Sequence, residues 1–366
     1  MKTSFLLVAL LVVGVMSLAA CASTTNPAAA PLQTVAPQPN ALTSIHVKAP
    51  PRLDGSADDV AWQIAPAVAS EAKGEGVKPF PVTVKSVYDD QAIYLLVQFQ
   101  DSNMEVDRSP WAYNADAKAW ARLGDDLGDE DEMGFYWNVN VPNYQAQGCQ
   151  DLCHKEDPNK PMMYTPKGTW VDVWGWNGAR TNAMGWARHM KLTDDPQASP
   201  DAPYGMVMQE GFETNSGFAD NVQTLNGVEV PLYWKPYSGA GGVVVGDRLF
   251  LLQSEIDSGD AKKIVGINAN GALQDEAGNT VPVDSRIPGR ILSAPAGPSW
   301  NEISAQGAWF DGVWTVEFSR KLQTGRPDDV QFDTAKDYYY DIYFKTRVAG
   351  EKDREIVTVH KMVFAR

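Results

Sequence analysis

Cysteine is scarce in this chain: three residues among 366, at positions 21, 149 and 153, exclude a small fold stapled by many disulfides. Histidine is nearly as sparse, with only His46, His154, His189 and His360 available for imidazole ligation. Positive charge is in deficit, 31 Lys and Arg against 46 Asp and Glu, and a net charge of -15 repels phosphate backbones. Nucleic acid is therefore not an expected partner. There is no phosphate-cradling glycine loop, no nucleophile beside a base and no pair of carboxylates at an arguable catalytic spacing, so no enzyme chemistry is read from the chain. Helical periodicity is weak everywhere except near Ala115 to Leu123 and Ile256 to Ile264. What the chain does have is apolar and aromatic material, 44% hydrophobic with 12 Trp, punctuated by 30 Gly and 24 Pro. That mixture suits a turn-rich, all-β domain.

The first 20 residues read as a secretory leader: Lys2, an apolar run from Phe5 to Met16, then small residues. The run up to Ala20 is about 16 residues, short of the ~20 that cross a bilayer. Leu18-Ala19-Ala20-Cys21 resembles a bacterial lipobox, which implies acylation of Cys21 and a mature chain starting there. Residues 21–45 are rich in Ala, Pro, Thr and Asn and read as a flexible tether, leaving 46–366 as a single domain. Ala22 and Ser23 follow the cysteine with no aspartate, and by resemblance to enteric sorting this points to the outer membrane, periplasmic side.

Within the domain, Val82 to Tyr88 alternates strictly and predicts a half-buried strand; Asp89-Asp90 turns the chain, and Ala92 to Phe99 returns as its hairpin partner. Further strands are expected at Met133 to Val139, Arg248 to Gln253, Val313 to Phe318, Tyr338 to Phe344 and Ile356 to Phe364. Many strands joined by long loops predict a β-sandwich.

The one constellation with strong chemical content is Cys149-Gln150-Asp151-Leu152-Cys153-His154. Its order is that of a c-type haem attachment site with one extra residue between the cysteines, in which two thioethers hold the porphyrin and His154 reaches the iron. A Cys149–Cys153 disulfide is a second reading in an exported protein, and a zinc site lacking its fourth ligand is a third.

Other stretches carry resemblances. Leu53-Asp54-Gly55 to Trp62, followed by Val87-Tyr88-Asp89-Asp90 and Ile93-Tyr94-Leu95, is similar to family 9 carbohydrate-binding modules and their DOMON-like haem-binding relatives. Met162-Met163-Tyr164-Thr165, Val171-Asp172-Val173-Trp174-Gly175-Trp176 and Ala179-Arg180-Thr181-Asn182 resemble the haem-binding subunits of ethylbenzene dehydrogenase and dimethylsulfide dehydrogenase. So do Glu302 to Trp309, Gly312 to Leu322, Thr324-Gly325 and Asp328-Asp329-Val330. The resemblance covers most of residues 50–366 and looks closest to a branch with a c-type motif. It implies covalent haem c on Cys149 and Cys153, an electron carrier and not a catalyst, and a redox partner such as a molybdenum oxidoreductase or another periplasmic cytochrome. Gamma subunits use methionine and lysine for a non-covalent haem b, and family members commonly carry histidine and lysine where this chain has Gly175 and Asn177, so their axial ligands do not transfer directly. The rival reading is a carbohydrate-binding sandwich with a disulfide and no haem.

For the second axial ligand opposite His154, Met163 leads because the family resemblance implies a ligand-bearing segment just before Trp174; His189 and His360 are the other metal-ligand candidates. Trp170, Trp174, Trp176 and Trp186 are expected to pack a core, His46 to lie at the surface, and the acidic run Asp125 to Glu132 to form a solvated turn.

Overall fold

The computed structural model describes residues 41–73, 78–106, 109–123, 130–146, 148, 164–198, 206–208, 218–236, 250–293, 302–346 and 353–365. Twelve strands make the main sheet: β1 (Ala41–His46), β2 (Ala67–Ala72), β3 (Phe80–Tyr88), β4 (Ala92–Gln100), β5 (Glu132–Asn138), β6 (Val171–Asn177), β7 (Arg188–Leu192), β8 (Met206–Met208), β9 (Ile303–Phe310), β10 (Val313–Lys321), β11 (Tyr338–Thr346) and β12 (Asp353–Phe364). They run in the order β8-β7-β6-β5-β11-β12-β1-β3-β4-β10-β9, with β2 beside β3. The expected hairpin is β3–β4, paired from Val82–Phe99 to Tyr88–Ile93.

Strand β1 folds this sheet into two layers, because Ala41–Ser44 pair with β12 while Ile45 and His46 pair with β3. At the opposite edge the Ala187 amide donates to the Ile303 carbonyl at 2.9 Å and the Ala305 amide to Gly185 at 3.1 Å, stitching the layers together. The result is the expected β-sandwich, closed at both sides. Between the layers lie Trp137, Trp174, Trp176, Trp314, Phe99 and Phe135, all fully buried, each worth roughly 1.5–3 kcal/mol of apolar burial. Trp174, Trp176 and Trp186 thus pack the core, as the sequence suggests, whereas Trp170, expected there too, is half-buried with the Lys191 ammonium 5.9 Å over its ring.

Several expectations need correction. The last residues of the expected tether, Ala41 to Ile45, are sheet, and Leu42 is fully buried. No helix covers 115–123: Trp111–Asn114 and Ala119–Arg122 form a hairpin instead. Asn114 accepts the Ala117 amide at 2.9 Å and Lys118 takes a left-handed φ of 49°, so turn chemistry overrides the Ala-rich composition while Trp111 and Trp120 bury themselves. Of the second expected helix, Ile256 to Ile264, only Ile256 and Asp257 are helical, as the end of a short helix Gln253–Asp257; Gly259, at φ 76°, follows it and Lys262–Ile267 is a strand. These segments build a satellite cluster beside the sandwich, with Trp111, Trp120, Trp234 and Ile264 at its centre.

The Leu53 to Trp62 motif has a structural task. Glu317 on β10 accepts the amides of Asp54 and Gly55 at 2.8 and 2.7 Å and the Trp62 indole N–H at 2.7 Å. Gly55 sits at φ 77°, where a Cβ would lie 2.6 Å from that of Ala308. This ties the segment before β2 onto the outer face of the second layer, over Val87 and Leu96.

Candidate functional site

Stretches distant in sequence converge at the end of the sandwich where β4 and β6 finish and β10 begins. Asn182 accepts the Gly307 amide at 2.6 Å and the Trp176 indole N–H at 3.0 Å, and donates to the Gly307 carbonyl at 2.9 Å. Gly307 is required, since a Cβ there would meet the Trp176 ring at 2.6 Å. Thr181 receives the Asn177 amide at 2.8 Å, and Glu130 accepts the amides of Ala179 and Arg180 at 3.0 and 2.9 Å as well as the Arg180 guanidinium. Arg180 and Arg188 also pair with Glu132, at 2.8 and 3.2 Å. Residues 130–132, expected in a solvated turn, are therefore buried: paired partners 48 to 56 positions away, invisible in a local pattern, neutralise Glu130 and Glu132.

These contacts frame a cleft of about 380 Å³ walled by Met104, Val106, Phe250, Leu252, Trp309 and Trp314. That size and apolar lining suit a small organic ligand or cofactor. Met104 is 41% exposed, so its thioether is accessible. Sequence reading missed Met104 because one methionine in a loop carries no pattern; its position three residues after Asp101, at the end of β4, is the only clue. Behind the cleft, Asp131 accepts the Trp314 indole N–H at 2.9 Å and the Glu105 amide at 2.8 Å on one oxygen. Asp101 accepts the Asn103 amide at 3.0 Å. Burial, and then the neighbouring Asp101 charge, lift the Asp131 carboxyl well above the usual range; burial lifts Asp101 too.

The structure separates the sequence-derived ligand candidates. Cys21, Cys149, Cys153, His154 and Met163 lie outside the described residues. Gly148, just before the motif, is at φ 67°, and a Cβ there would lie 2.5 Å from Val359 and 3.0 Å from Asp341. It therefore sits on the outer face of β11 and β12, near the cluster of Tyr136, Val173, Met190 and Tyr343. His360 turns the other way, into the sandwich, where its Nε2 bonds Ser70 at 3.1 Å and its ring lies 5.7 Å from Tyr340. Gly175 explains the missing histidine of the tryptophan motif: a Cβ would meet the Met190 methyl at 2.7 Å and the Tyr343 hydroxyl at 2.8 Å. Asn177, in place of lysine, is fully buried with an unbonded amide.

His189 is held in an ion cluster. Its Nε2 lies 3.2 Å from Asp172 and 3.3 Å from Asp329, and its Nδ1 lies 3.7 Å from Glu302. Arg320 pairs with the second Asp172 oxygen at 2.6 Å, and Arg326 with Glu302 at 3.3 Å. Burial opposes a charge on His189, but Asp172 and then Asp329 outweigh it and raise its pKa to about 9. Asp172, His189 and Asp329 are close enough to hold a metal ion, yet three carboxylates already face three cationic side chains. The donor set is thus charge-balanced as a salt cluster.

Among curated proteins none matches the sequence. Two solved structures of a family 9 carbohydrate-binding module from Caldicellulosiruptor kristjanssonii are similar to the chain: one with cellotriose (7% identity, TM-score 0.32, covering 88% of this chain and 92% of that one) and one with glucose (8%, 0.31, 88% and 94%). Residues 58–342, spanning both layers and the cleft, match the ethylbenzene dehydrogenase family, and the chain belongs to that family.

Proposed function

We propose that this protein is an exported, lipid-anchored haem protein that carries single electrons on the periplasmic side of a bacterial outer membrane, and is a carrier, not a catalyst. One covalent haem c would be held by Cys149 and Cys153, with His154 on the iron. The observation that carries the reading is a Cys-Cys-His order of attachment type inside the matched span of an ethylbenzene dehydrogenase family member. The haem would supply one-electron redox chemistry. Gly148, the residue before the motif, supports it by packing against the outer face of β11 and β12, beside a cluster rich in aromatic side chains. The family association suggests a molybdenum oxidoreductase or another periplasmic cytochrome as partner, and the net charge of -15 favours a basic docking surface on it.

A second reading, haem held without thioethers in the cleft, is favoured by one observation: the accessible Met104 thioether stands in a cleft whose other wall, Trp309 and Trp314, lies in stretches that carry the family resemblance. Acid-acetone extraction of the purified protein, followed by a pyridine haemochrome assay of both fractions, decides between them. Haem retained on the polypeptide, at one per chain, is the expected result. Extractable haem moves the site to the cleft, and a colourless protein with a Cys149–Cys153 disulfide overturns both and returns the carbohydrate-binding reading.

A further inference from the structure

The carboxyls of Asp101 and Asp131 lie 1% and 0% exposed behind the cleft, close enough for each to act on the proton affinity of the other. Each uses one oxygen to accept main-chain or indole N–H groups, while Asp101 Oδ2 and Asp131 Oδ1 have no donor. Two neighbouring buried carboxylates with orphaned oxygens repel unless they hold a proton between them. The charges acting on the pair make this more acute: Glu105 adds a further negative field, and the nearby Glu130 is already taken by Arg180.

The pair also grips both walls of the cleft. Asp101 holds the Asn103 amide and Asp131 the Glu105 amide, bracketing Met104 in the loop between, while Asp131 also holds the Trp314 indole. The Trp309 indole N–H bonds the Asp101 carbonyl at 2.9 Å. We propose that Asp101 and Asp131 are positioning residues that share a single proton, and that this proton latches the Met104 loop against Trp314 to shape the cleft. Loss of the proton to bulk base leaves two adjacent carboxylates, which separate and loosen the loop. The proposal concerns the cleft and stands whether haem is bound there or on the cysteines.

An amide is a permanent mimic of the shared proton: in Asp101→Asn the side-chain oxygen still accepts the Asn103 amide and its NH₂ donates to Asp131. The test is oxidation of the full chain by dilute hydrogen peroxide from pH 5 to 10, with Met104 sulfoxide read by peptide mass spectrometry and fully buried Met362 as the internal control. In the wild type the Met104 rate should rise at least threefold across a one-proton transition, with Met362 unchanged. Asp101→Asn and Asp131→Asn should both hold the low-pH rate throughout. Identical pH profiles in wild type and both variants would overturn the latch, as would a flat wild-type profile. Haem content measured on the same samples reports separately on the proposed function.

Discussion

Replacing His189 with Gln removes a buried cation from between Asp172 and Asp329 while keeping a side-chain amide donor. Folding raises the affinity of this imidazole for its proton from a pKa of 6.5 to about 9. At 1.36 kcal/mol per tenfold change, that is about 3 kcal/mol, a large share of the ~5–15 kcal/mol of a whole domain. Because the folded-state pKa is the higher one, the stabilisation is complete below pH 6.5 and disappears as pH rises through about 9. Urea denaturation at pH 6, 8 and 10 should therefore show the wild type losing stability relative to His189→Gln, with a gap of about 3 kcal/mol at pH 6 that closes to the residual packing difference at pH 10. On the proposed haem reading, the ferric spectrum of the variant should match that of the wild type, since both ring nitrogens face carboxylates. A gap independent of pH would refute the ion-cluster reasoning, and a change to a high-spin spectrum would restore His189 as an iron ligand.

Glu317→Gln should cost about 1–3 kcal/mol, measured as a shift in the urea midpoint, because an amide can accept on one oxygen only and must set its NH₂ against at least one of the three donors from Asp54, Gly55 and Trp62; a change within experimental error would show that the motif is held by packing alone. The proposed lipid anchor predicts that Cys21→Ser moves the protein from membranes into the soluble periplasmic fraction, because the acylated thiol is lost, whereas a variant still sedimenting with membranes would refute lipidation.

The β3–β4 hairpin was legible from its pattern, although Val82 to Val87 is buried on both faces and not on one, because Lys85 donates to the Trp62 carbonyl and Val87 packs against Trp62 on the outer side. The alternation at Val82 to Tyr88 and the Asp89-Asp90 turn needed no partner to be read, and Asp89 closes that turn by accepting the Gln91 and Ala92 amides, both at 2.8 Å. Ala115 to Leu123 misled because alanine and lysine favour helix only when nothing else decides; here Trp111 and Trp120 share a buried cluster, and a helix of this length gains little from propensity alone. The Leu53 to Trp62 motif was visible as a pattern, but its reason, a carboxylate more than 250 positions later, was not.

Charge was the hardest feature to read, and the physical cause is common to all the errors. A run such as Asp129-Glu130-Asp131-Glu132 invites an average, a solvated acidic turn, yet its described members have three different fates. Glu130 is neutralised by Arg180, Glu132 by Arg180 and Arg188, and Asp131 meets a second acid, Asp101. What fixes each fate is the side chain brought opposite by strand register and loop closure, through β5–β6 pairing for Glu132 and through the Glu105 loop for Asp131. The same holds for His189, read as a ligand candidate, whose partners Asp172, Glu302 and Asp329 come from β6 and from segments more than 100 residues away. Burial multiplies the strength of each pairing, so local composition loses most information where electrostatics matter most. The chemistry of this chain is accordingly divided: the Cys149 to His154 motif is written in consecutive residues, whereas the cleft and its acid pair exist only once the two layers have closed.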